Sequence, residues 1–236
     1  MWSTQTEFVE CIGLLEGHKD YITSLCIEGN YVFSSSADKT IRKWDMSTCE
    51  CVLIFVGHES TVNKIVCGDD QFLFSVSYDK KGKMWDFETG ECLNTFSGHE
   101  RNVPMLLFIP SKNGNKKKRQ IYGKTEEKQN LAAKLQTHID SEDALNEDVI
   151  ITGSYDSLAK SWNIQTGECI NTFKGHTGPI TCICTEFTYK LLFTGSGDHS
   201  IRSWEISTGN PLKVFEGHSS TIIAISVRLN HKVCIS

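Results

Sequence analysis

Histidine, serine and aspartate brought together are the side chains of acyl transfer. A hydroxyl attacks, an imidazole takes its proton, and a carboxylate orients the imidazole. This 236-residue chain holds those residue types at near-constant spacing four times over. Gly-His pairs stand at Gly17-His18, Gly57-His58, Gly98-His99, Gly175-His176 and Gly217-His218. Their histidines are 40, 41, 77 and 42 residues apart: three steps of one period, and one of that period plus an insertion. The first four are followed by Asp38, Asp79, Asp156 and Asp198. Four residues before each Asp is a hydroxyl, at Ser34, Ser75, Thr152 and Thr194. Six residues after it is a tryptophan, at Trp44, Trp85, Trp162 and Trp204. A catalytic constellation occurs once per domain. This one recurs with the period of the chain, and no Gly-x-Ser-x-Gly elbow accompanies it. The architectural reading is therefore preferred: imidazole donates to carboxylate, and hydroxyl and indole N–H complete a buried network that rigidifies when every member is satisfied. No catalytic or cofactor-binding residue is assigned, and the chain is read as not an enzyme.

The elements that must carry these residues are short strands. Within the first period, Tyr21–Ile27, Tyr31–Ser35, Thr40–Trp44 and Cys51–Phe55 read as strands a to d, with turns at Glu28-Gly29-Asn30 and Asp38-Lys39. Four strands in a period of about 40 residues match a propeller blade. The Gly-His openings and the Trp-Asp endings (Trp44-Asp45, Trp85-Asp86, weakened to Trp162-Asn163 and Trp204-Glu205) resemble the WD40-repeat family. The resemblance covers nearly all of the chain outside the insertion. It implies an all-β propeller with repeats at about 17–56, 57–97, 98–174 and 175–216 and a partial one at 217–236. It also implies four structural tetrads: His18, Ser34, Asp38 and Trp44; His58, Ser75, Asp79 and Trp85; His99, Thr152, Asp156 and Trp162; and His176, Thr194, Asp198 and Trp204.

The strand count comes out uneven. Four full blades are expected, then a fifth with strand a at Thr221–Val227 and strand b from Val233 to Ser236. Glu7–Glu16 aligns with strand d and is expected to complete the last blade, which still lacks strand c. The chain is thus expected to be a piece or splice product of a propeller of about seven blades. Its unpaired strand edges are expected to favour self-association.

The resemblance implies a protein-binding scaffold without cofactors. Its partners are proteins, with no membrane and no small-molecule substrate. Specificity is expected on the face built from the d–a and b–c loops, where Tyr21, Tyr78, Arg101, Asn102 and Tyr155 are candidate contacts; Tyr and Arg are common interface anchors. The alternative for these side chains is ordinary exposed turn residues. A second reading is a substrate receptor of a ubiquitin ligase. Relatives that serve a cullin-linked adaptor often carry Arg two residues after Trp-Asp. Ser47, Glu88, Gln165 and Ser207 stand there and count against that role.

Composition narrows the classes further. Charged residues at 22% and hydrophobic residues at 39% are those of an ordinary globular chain. Net charge is −5, which disfavours general nucleic-acid binding. The N-terminus shows no signal-peptide pattern, so a cytoplasmic location and ten reduced cysteines are expected. Most cysteines track the repeat: Cys51, Cys92 and Cys169 open strand d, and Cys26, Cys67 and Cys184 lie in strand a. Packing in buried apolar positions is the preferred reading. Cys49-x-Cys51 and Cys182-x-Cys184 lack the two-residue spacing of common zinc sites. His138, His199 and His231 fall outside the repeat slot and read as surface residues.

A charged insertion, 111–147, splits repeat 3 between strands a and b. Ser111–Lys124 carries six basic residues and no acid, whereas Thr125–Asp148 carries seven acids against two lysines. Lys116–Arg119 would suit nuclear import or an RNA contact, against the plainer reading of a solvated loop. Outside 111–148 the chain has sixteen basic and twenty-two acidic residues, net −6. Deleting 113–142 should leave cooperative unfolding intact, because loop closure changes by only about 0.6 kcal/mol per doubling of length. Loss of a single transition in a thermal melt of the deletion would place the insertion in the core.

Overall fold

The computed structural model describes residues 2–3, 10–11, 13–68, 71–111, 147–186, 188–227 and 233–235. Every regular element among them is a strand. Two short strands, β1 (Trp2–Ser3) and β2 (Glu10–Cys11), pair with each other. Four four-stranded antiparallel sheets follow, each in sequential order. Blade 1 is β3 (Ile22–Glu28), β4 (Tyr31–Ser36), β5 (Ile41–Asp45) and β6 (Cys51–Phe55). Blade 2 is β7 (Val62–Cys67), β8 (Phe72–Ser77), β9 (Gly82–Asp86) and β10 (Cys92–Phe96). Blade 3 is β11 (Met105–Ile109), β12 (Val149–Gly153), β13 (Leu158–Asn163) and β14 (Cys169–Lys174). Blade 4 is β15 (Ile180–Thr185), β16 (Leu191–Ser196), β17 (Ile201–Glu205) and β18 (Pro211–Phe215). A last pair, β19 (Ile225–Val227) and β20 (Val233–Ile235), forms a two-stranded sheet.

The second strand of each blade is covered on both faces. All of β12, and every residue of β4, β8 and β16 after the first, are buried. These strands therefore carry aromatic and β-branched residues followed by small ones rather than an alternating pattern. At Gly195 in β16 two side chains come very close: a Cβ there would meet the Cys182 sulfur of β15 at 2.6 Å and the Ile222 Cγ2 at 2.7 Å. The fourth strands form the outer rim, and Val52, Leu93, Ile170 and Leu212 are exposed there.

The core is a series of layers between blades. Phe33, Ile41 and Phe55 of blade 1 pack on Val62, Ile65, Leu73, Trp85 and Phe87 of blade 2. Phe74, Val76 and Phe96 then meet Val103, Leu106, Ile150 and Trp162. Ile151, Ala159 and Phe173 meet Leu192, Trp204 and Ile206. Each layer has the same centre, a phenylalanine at or next to the end of the fourth strand of one blade against the tryptophan of the next. Their ring centroids are 6.0 Å apart for Phe55 and Trp85, 6.1 Å for Phe96 and Trp162, and 5.9 Å for Phe173 and Trp204. Lys43 locks the first layer from the rim. Its Nζ donates to the Phe87 carbonyl at 3.1 Å, reaches Glu88 at 3.0 Å and sits 4.1 Å from the Tyr31 ring centroid.

The termini differ from the sequence expectation. Within Glu7–Glu16 only Glu10–Cys11 is described as a strand, and it pairs with β1 rather than with the last blade. Its neighbour β1 is closer along the chain, so the loop to be closed is short. The ladder of the last pair starts at Ile225, not at Thr221. Ile222 is bound to blade 4 instead: its N–H donates to the Ser196 carbonyl, and its own carbonyl accepts from the Thr181 hydroxyl. The insertion lies outside the described residues except at its ends. There the Ser111 N–H donates to Asp148 at 2.6 Å, closing the base of the β11–β12 hairpin at the end away from His99 and Asp156.

One position separates blade 1 from the rest. Leu25 and Ile65 both stand opposite the tetrad serine in their first strands, yet Leu25 is 62% exposed and Ile65 2%. The reason is that Ile65 rests on blade 1, while among the described residues nothing covers the corresponding face of blade 1. Ile65→Ala should cost about 2–5 kcal/mol and Leu25→Ala under about 0.5 kcal/mol in denaturant melts. Equal losses would mean that blade 1 is covered in solution.

Candidate functional site: the tetrads and the loop face above them

The strand and turn positions of the repeat bring the sixteen polar side chains together in four groups. His18 Nδ1 is 2.7 Å from Asp38 and its Nε2 is 2.8 Å from the Ser34 hydroxyl, which Trp44 Nε1 reaches at 2.7 Å. The same three contacts are 2.7, 2.7 and 2.8 Å for His58, Asp79, Ser75 and Trp85. They are 2.8 Å throughout for His99, Asp156, Thr152 and Trp162. For His176, Asp198, Thr194 and Trp204 they are 2.7, 2.8 and 2.9 Å. Proton bookkeeping fixes the direction. An indole N–H only donates and a carboxylate only accepts. A neutral imidazole therefore gives its Nδ1 proton to Asp and accepts at Nε2 from the hydroxyl. That hydroxyl accepts in turn from Trp. The hydroxyl that a triad would use as nucleophile also accepts from the indole, and Ser34, Ser75, Thr152 and Thr194 are all buried beyond the reach of a substrate, so the geometry is that of a clamp.

The carboxylates are embedded further. Each takes the backbone N–H that follows the histidine, from Lys19, Glu59, Glu100 and Thr177, all at 3.0 Å. Each also takes the N–H two residues beyond itself, from Thr40, Lys81, Leu158 and Ser200. In blades 1 and 4 that residue adds a hydroxyl, Thr40 at 2.6 Å and Ser200 at 2.7 Å. Burial pushes all four carboxyls up, but these donors outweigh it. Asp79 is held down at about 2, Asp156 is lowered, and Asp38 and Asp198 lie well below the usual carboxylate range. Burial pushes His176 below its ordinary value despite Asp198.

A feature the sequence reading missed sits inside these turns. Lys39, Lys80, Ser157 and His199, each just after the tetrad Asp, all adopt left-handed backbone with φ of 68–71°. The repetition marks a shared turn geometry, and none of these residues is the glycine that usually signals it. His199 is thereby placed in a turn of blade 4, while His138 and His231 lie outside the described residues. A second missed device is the turn after Trp. Asp45, Asp86 and Asn163 each accept two successive backbone N–H groups, which is why Asn replaces Asp there without loss.

Above the tetrads the two loop sets are tied together. The residue before each Asp donates its N–H to the third residue after the histidine: Ala37 to Tyr21, Tyr78 to Thr61, Tyr155 to Asn102 and Gly197 to Pro179. This puts Tyr78 and Tyr155 on one face with Tyr21, Arg101 and Asn102. Tyr21 is 63% exposed, Tyr78 37% and Tyr155 38%; Arg101 is exposed and Asn102 half-buried. Burial raises the pKa of the Tyr78 hydroxyl, and Tyr155 and Tyr21 add to the rise.

The cysteines divide differently from the sequence expectation. Cys182 is buried, and burial pushes its neighbour Cys184 up to about 12. Cys92 and Cys169, expected in buried positions, are exposed, because the fourth strand is the rim of the blade. Among the described residues no three metal-ligating side chains gather, and no helix is long and apolar enough to cross a membrane.

A family model described as "WD domain, G-beta repeat" matches residues 9–45, 49–86 and 167–205. Of the third repeat, split by the insertion, only the end that carries β14 falls within the matched residues. WD repeat-containing protein pop1 of Schizosaccharomyces pombe is 28% identical over 179 residues, covering 70% of this chain and 23% of that protein. The F-box/WD repeat-containing protein sel-10 of Caenorhabditis elegans is 34% identical over 62 residues, 26% of this chain and 11% of its own. A probable E3 ubiquitin ligase complex SCF subunit, sconB of Aspergillus terreus, is 25% identical over 166 residues, 69% of this chain and 22% of its own. The chain thus spans under a quarter of the length of these relatives.

Ser75→Ala should orphan both the Trp85 N–H and the His58 Nε2, at about 1–3 kcal/mol for each group. The exposed change Glu91→Ala should stay within about 0.5 kcal/mol, and equal effects in denaturant melts would remove the clamp. Acid should act on the same groups. A carboxyl depressed in the folded state lends stability that is present above its unfolded value of about 3.9 and is lost as pH falls toward the folded one. His176, depressed below about 6.5, lends stability that is likewise lost on acidification. The melting midpoint should fall gently below about pH 6.5 and steeply below about pH 4. A midpoint unchanged from pH 7 to pH 3 would contradict both shifts. Tetrads, blades and matched segments agree: the chain carries WD40 repeats, and its repeated four-stranded sheets are the blades of a WD40 β-propeller.

Proposed function

We propose that the chain is a non-enzymatic protein-interaction scaffold that binds its partner on the loop face carrying Tyr21, Tyr78, Arg101, Asn102 and Tyr155. The observation that carries this reading is the set of three exposed or half-exposed tyrosines on one loop face, each in a loop whose backbone is bonded to the other loop of its own blade. A rigid aromatic surface binds at small ordering cost, since little is left to immobilise. The proposal includes a protein partner, no membrane attachment, no small-molecule substrate and no nucleic acid. The net −6 charge outside the insertion supports the last point. It places the protein in the cytoplasm, with Lys116–Arg119 as a route to the nucleus. Within the family, the stretches Phe33–Asp45 and Phe74–Asp79 and the insertion in repeat 3 resemble WD repeat-containing protein 86, and that individual likeness belongs to the proposal.

A second reading is a substrate receptor of a ubiquitin ligase. It is favoured by the similarity to sel-10 and sconB. It is opposed by Ser47, Glu88, Gln165 and Ser207 where adaptor-binding relatives often have Arg. In the structure Glu88 is engaged with Lys43.

Affinity enrichment from cells, with a Tyr78→Ala/Tyr155→Ala variant beside the native chain, tests the leading reading. Proteins held by the loop face should drop at least about tenfold in the variant, the loss expected for hot-spot residues. Unchanged enrichment by a folded variant would move the interface elsewhere. Recovery of a cullin-linked adaptor in both samples would favour the second reading.

A further inference from the structure

The first strands of blades 1 and 2 bring two thiols into contact. Cys26 Sγ in β3 and Cys67 Sγ in β7 are 2.6 Å apart, about 0.6 Å beyond the length of a covalent S–S bond. Both side chains are half-buried, against the apolar layer that joins the two blades. Two further bonds hold the strands in this alignment: the Thr23 hydroxyl donates to the Val62 carbonyl at 2.5 Å, and the Ile65 N–H donates to the Ser24 hydroxyl at 3.4 Å.

The repeat shows that this pairing is particular to one interface. Cys26 lies eight residues after its repeat histidine, where the next blades have Val66, Leu107 and Cys184. Cys67 lies nine residues after its own, where the following blades have Phe108, Thr185 and Val227. The equivalent pairs at the later interfaces are therefore Val66 with Phe108, Leu107 with Thr185, and Cys184 with Val227. Only between blades 1 and 2 do both positions carry a thiol. Apolar contact alone requires no sulfur here.

We propose that Cys26 and Cys67 form a reversible disulfide that staples blade 1 to blade 2 when a low-molecular-weight disulfide such as oxidised glutathione is present. One thiolate attacks a sulfur of oxidised glutathione, forming a mixed disulfide and releasing one glutathione thiolate. The second protein thiolate attacks the protein-bound sulfur and releases the other. The two protein thiol protons end on the two glutathione thiolates, two electrons pass to the oxidant, and the balance is one protein disulfide for two reduced glutathiones.

The test uses the full chain carrying Cys92→Ser and Cys169→Ser, which removes the two thiols exposed among the described residues. It is incubated with oxidised glutathione, quenched with acid and examined by peptide mass spectrometry. The expected result is a peptide joined through Cys26 and Cys67, lighter than its reduced parts by two hydrogen atoms and lost on treatment with dithiothreitol. The melting midpoint should rise by about 5–10 °C on oxidation, as expected for a loop of this length, and Cys26→Ser should abolish the rise. A glutathione adduct that persists on either cysteine without closure would overturn the proposal. So would both thiols remaining reduced while other cysteines are oxidised.

Discussion

The indoles of Trp85, Trp162 and Trp204 each belong to two structures at once, and the propeller depends on that double use. Each N–H is the first donor of a polar chain that runs through Ser or Thr and His to Asp within its own blade. Each ring is the surface on which the preceding blade ends, through Phe55, Phe96 and Phe173. Tilting the ring to improve one contact would break the other. A polar clamp is directional and an apolar layer is not. The clamp therefore supplies the orientation that stacking of flat sheets lacks.

The same design explains where binding can reside. The tetrad consumes every donor and acceptor it has, so the polar residues that look most like chemistry are the ones least available for it. What remains free is the rim of loops above. Those loops inherit the rigidity of the clamp through the bonds from Tyr78 to Thr61 and from Tyr155 to Asn102. Side chains at their tips can vary without disturbing the blade, which separates recognition from folding. The insertion leaves repeat 3 at the opposite end of its strands, away from that rim.

Much of this was legible in the residues because a repeat multiplies weak signals. One Ser-x-x-x-Asp is uninformative; four at a constant offset from His and Trp state a geometry. Strand order and the blade number among the described elements follow from that periodicity, and the clamp residues are those that the resemblance to the WD40-repeat family implies. Local chemistry that does not announce itself by residue type stayed hidden. The left-handed residues Lys39, Lys80, Ser157 and His199 are not glycines, so no composition signal marks their turn.

Contacts between blades lie beyond any sequence pattern, because they join residues about 40 apart through the curvature of the whole array. Leu25 and Ile65 occupy the same slot and differ only in whether a blade stands before them. The side chain of Lys43 is buried because Phe87 and Glu88 of the next blade come within its reach. Cys26 and Cys67 read separately as two small residues filling strand positions. The sequence by itself determined the blade, through periodic residue types that satisfy one another locally. The tertiary structure alone decided which face of a blade is covered, which tyrosines gather and which two thiols meet, since each depends on how far one sheet turns relative to the next.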